Sequence, residues 1–283
     1  MGIWVGKFET SGTTSAPTIK PGLTSLSYQN VSTFFNTALI FTTNSNYVTK
    51  YRNSVIESHM MKNTEWGAVA YLKQSKYGLG TTDMGNNSYY NGNESYPHRA
   101  GCGPVSETNL TGTTSTCVSY TSTAGVMSST TGNVYGVYDM GGGVGEYVMG
   151  VMQDNTNTNT PMSGKDSSYN SGYTGKLYNN GSYTSYSGAT FPISQYYDLY
   201  SFGTTKTDSA AYARRILGDA TGETLGWYRD GTNFLDPTGP WFFRGGYSAN
   251  SYVSGAYFFS NYPGNADVWA GFRVAITPHN DRI

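Results

Sequence analysis

Hydrophobic and polar positions in the N-terminal part of the chain predict one strand and two helices. Ile3–Thr10 alternates apolar with other side chains, as a half-buried strand does. In residues 46–61 the apolar positions fall near one face of a helix. A second helix is predicted over residues 64–78, where Thr64 is a suitable cap and Gly78 a stop. Such apolar stripes are usually buried, so we expect both helices to pack against the core.

The C-terminal part predicts a short helix followed by three strands. Asp208–Gly222 begins with a capping residue, contains helix-forming side chains and ends at glycine. The later apolar and aromatic runs predict strands at about Trp241–Tyr247, Gly255–Ser260 and Gly271–Ile276.

Two long polar stretches separate these elements. Residues 80–132 and 155–187 consist largely of Gly, Asn, Ser and Thr, but their tyrosines offer area that can be packed. We therefore expect ordered functional loops rather than disorder. No internal repeat or interdomain linker interrupts the pattern, so residues 1–283 are predicted to form a single, loop-rich α+β domain.

The composition favours an extracellular protein. Hydrophobic residues make up 37% of the chain and charged residues 12%, whereas a soluble domain typically carries about 25% charge. Tyr, Thr, Ser, Asn and Gly must keep this surface hydrated. Such usage is typical of secreted or cell-surface proteins that are rich in β-structure.

Charge and hydropathy exclude two classes of partner. The formal net charge is -1, so no basic surface is available to neutralise nucleic-acid phosphates. No apolar run approaches the roughly 20 residues of a membrane span, and membrane insertion is not expected. The start of the chain lacks a signal-peptide pattern. We interpret the chain as a domain of a longer protein, with the export signal or anchor further upstream.

The two cysteines, Cys102 and Cys117, bracket a polar stretch. A disulfide between them is the favoured interpretation, and it would close a loop of about 15 residues. Two free thiols, or a metal pair with His98, remain alternatives, although the spacing is a weak zinc signal.

Four stretches, in order, resemble the family of formylglycine-generating enzymes and sulfatase-modifying factors. They extend from Ile3 to Ile276, and their sequences are "IWVGKFETS", "TEWGAVAYL", "GNVYGVYDMGGGVGEYVMG" and the pair "FRGGYS" with "AGFRVAI". The resemblance implies a C-type lectin-like fold of the formylglycine-generating-enzyme type, with small β-sheets and two main helices. It also indicates structural roles, in pinning irregular backbone, for Asp139, Glu146, Arg244, Gly245, Gly246 and Arg273.

The chemistry of that family is not expected to persist. Its enzymes bind copper through a cysteine pair shortly before the final Gly-Phe-Arg strand, but residues 247–270 contain no cysteine. The three histidines, His59, His98 and His279, are scattered without ligand spacing. A structural calcium ion is weakly supported, because Gly143 stands where the family has an Asn ligand. We predict that the protein is not an enzyme and needs no metal or other cofactor.

The closing segment, residues 244–276, also resembles the variable proteins of diversity-generating retroelements. These proteins use the same lectin-type fold and vary the segment between Arg-Gly-Gly and Gly-Phe-Arg to bind different ligands. Tyr and Trp give large rigid contacts, while Ser, Gly and Asn adapt their hydrogen bonds. The candidate outward, ligand-binding positions are Tyr247, Ala249, Asn250, Ser251, Tyr252, Tyr257, Asn261, Tyr262, Asp267, Val268, Trp269 and Ala270.

The leading hypothesis is a non-enzymatic, extracellular ligand-binding domain, such as an adhesin at the tip of a pilus-like structure on a bacterial cell surface. Its ligand would be a cell-surface protein or a glycan. One alternative is a receptor-binding protein of a phage tail, located in the virion. Another is a divergent enzyme of the formylglycine-generating type.

Overall fold

The computed structural model describes residues 2–43, 56–92, 98–155, 159–166, 176–179, 182–185, 191–207 and 213–278. Short strands, joined by long irregular segments, make up most of its regular structure. The strands are β1 (Trp4–Val5), β2 (Ser11–Thr13), β3 (Ala16–Thr18), β4 (Ile56–Met60), β5 (Gly145–Met152), β6 (Lys176–Asn179), β7 (Ser182–Ser185), β8 (Asp198–Tyr200), β9 (Trp241–Gly245), β10 (Gly255–Tyr262), β11 (Ala270–Phe272) and β12 (Val274–Pro278). The helices are α1 (Val31–Thr43) and α2 (Asn63–Gln74).

A five-stranded sheet forms the centre of the molecule. Its order is β10-β9-β5-β11. Strand β8 also pairs with β5, at residues 150–152, whereas β11 pairs with β5 at residues 145–147. All eight residues of β5 are buried, since the strand has pairing neighbours along its length and side chains packed on both faces. Strand β9 is equally buried between β5 and β10. This sheet holds most of the C-terminal segment in place.

A second sheet joins the two ends of the described chain. Its order is β1-β12-β4, and both pairings are antiparallel. Strands β2 and β3, and strands β6 and β7, form two further antiparallel pairs. Few helices and several small sheets agree with the α+β class. Among the described residues, no helix is both long and apolar enough to cross a membrane.

Both helices pack against these sheets through apolar side chains. Phe34 of α1 stacks on Phe272 of β11, with ring centroids 4.8 Å apart. Trp66 of α2 is buried, and its indole N–H donates to the carbonyl of Ala256 in β10 at 2.8 Å. The first turn of α2 receives a tertiary cap, because the Asp198 carboxylate accepts the Thr64 N–H at 2.7 Å.

Several predicted elements differ from the structure. Only Trp4–Val5 of the first predicted strand enters a ladder. Of the predicted helix 46–61, residues 46–55 lie outside the described residues and Ile56–Met60 is a strand. That part of the prediction was wrong because pairing with β12 decides its conformation. Of the predicted helix 208–222, residues 208–212 are not described, residues 213–214 are helical, and residues 215–221 form a turn, bends and irregular backbone.

Candidate ligand-binding face

Arg273 lies in the C-terminal segment and connects it to three other parts of the chain. Its guanidinium is fully buried and donates to both carboxylate oxygens of Glu146, at 2.6 and 3.2 Å. It also donates to the carbonyls of Gly6, Tyr138 and Asp139. Burial raises the pKa of Glu146 to about 7, while Arg273 acts in the opposite direction. These bonds occupy the guanidinium with internal partners.

Arg244, on β9, is also fully buried. It donates to the side-chain oxygen of Asn63 at 3.2 Å and to the carbonyl of Ala220 at 2.9 Å. Its guanidinium lies 5.7 Å from the Trp66 ring centroid, and burial lowers the pKa of this side chain to about 10. Arg244 therefore ties the central sheet to the start of α2 and to an irregular segment.

The signature "YDMGGGVGEY" forms a tight turn around buried carboxylates. Asp139 has a positive φ of 59° and accepts the N–H groups of Glu9 and Gly101. Gly143 also has a positive φ, and a Cβ there would overlap the Glu9 carboxylate. Glu9 in turn accepts the Val144 N–H at 2.9 Å. The carboxylate of Glu9 thus occupies the space that a side chain at position 143 would need.

All three carboxylates have internal hydrogen-bond partners. Glu146 is engaged by Arg273, Asp139 by backbone N–H groups and Asn87, and Glu9 by Val144 and Ser25. Within the part of the chain that the structure describes, no group of three His, Cys, Asp or Glu side chains is arranged to hold a metal ion.

The backbone at Gly245 and Gly246 turns sharply out of β9. Both residues have positive φ, 79° and 65°, a conformation that glycine adopts without steric cost. A Cβ on Gly246 would overlap the Ser254 side chain. The chain leaves β9 at this turn and first becomes exposed at Ala249.

Cys102 and Cys117 form a disulfide, with their Cα atoms 5.0 Å apart. The segment that they close pairs with residues 88–90, through bonds from the Thr114 N–H to Ser88 and from the Tyr90 N–H to Thr114, both 2.9 Å. This cross-linked segment therefore fixes the backbone that carries Tyr90.

An aromatic cluster lies where this segment meets the C-terminal one. The ring of Trp269 lies 4.9 Å from that of Tyr247 and 5.7 Å from that of Tyr90, centroid to centroid. His98 packs against Trp269 at 5.4 Å, and its Nδ1 lies 3.1 Å from the Ser248 hydroxyl. His98 is buried, whereas the three larger rings are partly exposed.

Tyr262 extends the cluster from the end of β10. Its ring stacks on Phe243 at a centroid distance of 4.3 Å and an interplanar angle of 13°. Burial raises the pKa of Tyr262 to about 12, and the negative charge of Asp267 and the neighbouring Tyr247 add to the shift. Asp267 and the phenols of Tyr247 and Tyr262 are therefore electrostatic neighbours.

The turn after Gly246 presents the most exposed ring of the C-terminal segment. Ser251 adopts a positive φ of 57°, which is uncommon for a residue with a side chain. The Asn86 amide donates to its carbonyl at 2.9 Å and holds that conformation. The next residue, Tyr252, is 63% exposed. The partly or fully exposed side chains that we call the candidate face are Tyr90, Tyr247, Tyr252, Tyr262, Asp267 and Trp269.

The structure distributes the predicted ligand-binding positions unevenly. Ala249 and Tyr252 are exposed. The positions that are partly exposed are Tyr247, Asn250, Ser251, Asn261, Tyr262, Asp267, Val268 and Trp269.

Two of the predicted outward positions are buried. Tyr257 is 1% exposed, stacks with Tyr228 at 5.6 Å, and donates its hydroxyl to the carbonyl of Ala70. Ala270 is fully buried, because it begins β11 and pairs with Gly145 in the central sheet. The outward placement was therefore wrong for both. The pairing of β10 with β9 also shifts register between residues 255 and 259, the stretch that contains Tyr257.

Tyr90, Tyr28 and His98 were missed as part of this region. Tyr28 is exposed, and its N–H donates to the Asp267 carbonyl at 3.0 Å. All three lie in segments without hydrophobic periodicity, far in sequence from the C-terminal segment. No local sequence signal connects them to it.

The candidate face is thus assembled from the C-terminal segment and the upstream loop that carries Tyr90, on a buried polar frame. No model of a known protein family matches the chain, and no curated protein matches it at a significant level.

Proposed function

We propose that the protein is a non-enzymatic ligand-binding domain that contacts its ligand through the candidate face. The observation that carries the proposal is the group of partly exposed rings around Trp269, with Tyr247 and Tyr90 within 6 Å of it. Exposed Tyr and Trp side chains on a rigid support are frequent centres of binding energy.

The buried frame supports this proposal because it fixes the segments that carry the face. Arg244 and Arg273 bind internal carbonyls and carboxylates, and Asn86 holds the strained turn before Tyr252. A face held in this way loses little conformational freedom when it binds, which favours affinity.

The proposal includes the C-type lectin-like fold and the relation to retroelement variable proteins. It is supported by the internal bonds of Asp139, Glu146, Arg244 and Arg273, the residues to which that resemblance gives structural roles. A near copy of the coding sequence for residues 244–276, beside a reverse transcriptase gene, is the genomic arrangement that this relation requires.

An extracellular location, on a bacterial cell surface or in a phage virion, is part of the same proposal. Its supports are the disulfide, because disulfides persist in oxidising compartments, and the low content of charged residues. Both cysteines of the chain form that disulfide, and residues 247–270 contain none. This segment therefore offers no thiolate pair that would support a divergent copper oxidase.

The binding test uses a matched set of tyrosine variants. The purified domain is offered to a panel of cell-surface proteins and glycans, and the Kd of each ligand is measured for Tyr252→Ala, Tyr90→Ala and the control Tyr135→Ala. Tyr135 lies in another loop and is 89% exposed. We expect the two face variants to bind about tenfold more weakly, which corresponds to about 1.4 kcal/mol, and the control to bind normally. If folded face variants retain full affinity, the face is assigned wrongly.

A further inference from the structure

Asp267 is the one charged side chain of the candidate face, and one of its two carboxylate oxygens accepts a hydrogen bond. Its Oδ1 accepts the backbone N–H of Trp269 at 2.9 Å, and its backbone carbonyl accepts the backbone N–H groups of Tyr28 and Ala270. Among the described residues, no hydrogen bond reaches Oδ2, and no basic side chain lies within 4 Å of the carboxylate. The side chain is partly exposed. Within those residues, no cation pairs with this negative charge.

Aromatic residues adjoin the residue that carries that charge. The backbone N–H of Trp269 donates to Oδ1 of Asp267, and the Trp269 ring contacts the rings of Tyr247 and Tyr90. Burial raises the pKa of Tyr262, and the negative charge of Asp267 adds to that rise. Tyr28, which is 58% exposed, adjoins Asp267 through its backbone.

A partly exposed carboxylate in an aromatic region suits a cation. A ring face carries negative electrostatic potential and attracts ammonium and guanidinium groups, and a nearby carboxylate adds to the attraction. The same arrangement repels an anionic ligand. Arginine fits both features, because its planar guanidinium stacks on rings and donates two parallel hydrogen bonds to a carboxylate.

We propose that the candidate face binds a protein partner through an arginine or lysine side chain, which contacts the rings of Tyr247, Tyr262 or Trp269 and pairs with Asp267. This inference rests on the proposed function and specifies the partner of the same face. The partner is a protein surface with an exposed basic side chain.

The test uses acetyl-arginine amide, its uncharged analogue acetyl-citrulline amide, and a neutral oligosaccharide, cellotetraose. Binding is followed through the indole N–H resonance of Trp269, which is assigned by its loss in Trp269→Phe. Asp267→Asn keeps the Oδ1 acceptor for the Trp269 N–H but removes the charge. Glu107→Gln, at an exposed acid in another loop, is the matched control.

We expect the arginine probe to shift this resonance and the citrulline probe to act much more weakly. Asp267→Asn, or high salt, should weaken the arginine probe about fivefold, while Glu107→Gln should leave it unchanged. Equal effects of arginine and citrulline, or full binding to Asp267→Asn, would overturn the inference. A response to cellotetraose alone would also overturn it but would leave a glycan-binding face standing. If no probe acts and the tyrosine variants keep their affinity, the proposed function falls as well.

Discussion

The imidazole of His98 supports the candidate face from inside the molecule. Its Nδ1 lies 3.2 Å from the carbonyl of Tyr89 and 3.1 Å from the hydroxyl of Ser248. A carbonyl only accepts hydrogen bonds, so the contact with Tyr89 assigns the proton of the neutral ring to Nδ1. The ring also packs on Trp269. Burial lowers the pKa of His98 to about 4, which keeps the imidazole neutral at physiological pH.

This side chain predicts a pH-dependent loss of stability. In the unfolded chain His98 takes up a proton near pH 6.5, whereas in the folded state it does so only near pH 4. Between these values the unfolded state binds more protons, so the free energy of unfolding falls as the pH falls through this window. We expect His98→Gln, which does not titrate, to lack this contribution.

The measurement is urea unfolding of the wild type and His98→Gln from pH 7 to pH 4. The difference in unfolding free energy between them should change by an amount on the order of 3 kcal/mol, because the shift spans more than two pKa units. The comparison cancels the opposite slope from buried acids such as Asp230, whose pKa burial raises to about 7. Parallel pH profiles of the two proteins would contradict the assignment.

At the scale of elements, the sequence predicts what local patterns control. The helix at Asn63–Gln74 and the strands at Trp241–Gly245 and Gly255–Tyr262 were located within a few residues, because their apolar side chains recur at helix or strand spacing. Helix α1 was not predicted. Ile56–Met60 was wrongly predicted as helix, because the strand that it forms depends on pairing with β12, which is far away in sequence.

The candidate face was predictable only in part, for the same reason. Tyr247, Tyr252 and Trp269 lie in the segment whose composition indicated binding. The contact of Tyr90 with Trp269 depends instead on a loop that is fixed by a disulfide and by long-range hydrogen bonds. Neither propensity nor periodicity encodes such a contact.

The disulfide predicts a stability effect that belongs to this loop. Replacing Cys102 and Cys117 together by Ala should lower the free energy of unfolding by about 3 kcal/mol, because a loop of about 15 residues gains conformational freedom mainly in the unfolded chain. Since Thr114 holds the backbone of Tyr90, we also expect weaker ligand binding. Urea unfolding measures the first effect. A reductant should destabilise the wild type similarly and leave the double variant unchanged; equal stability of the two oxidised proteins would argue against the role of this bond.

At the scale of the whole molecule, the beginning and end of the described chain form one structure. Strand β1 pairs with β12, and β12 pairs with β4. Arg273, just before β12, reaches the carbonyl of Gly6 and the carboxylate of Glu146 in the central sheet. Contacts between such distant parts of the chain favour a single cooperative unit, as the sequence predicts for residues 1–283.

Arg273→Met tests this unity. The substitution removes the internal cation, leaves Glu146 without its partner and frees three buried carbonyls. Breaking a buried pair on one side costs about 3–5 kcal/mol. We expect such a loss in urea unfolding at pH 7, and none in the control Lys20→Met, where the side chain is exposed.

The loss should be larger at pH 9 than at pH 7. Burial already raises the pKa of Glu146 to about 7, and removing Arg273 raises it further, so above pH 7 the folded variant keeps a proton on Glu146 that the folded wild type has released, and the variant loses stability relative to the wild type as the pH rises. Tryptophan fluorescence and far-UV circular dichroism should show the same midpoint in every case, because residues 1–283 are predicted to unfold as one cooperative domain. Separate midpoints would contradict the single domain, whereas a penalty that does not depend on pH would show that the unpaired carboxylate is not its cause.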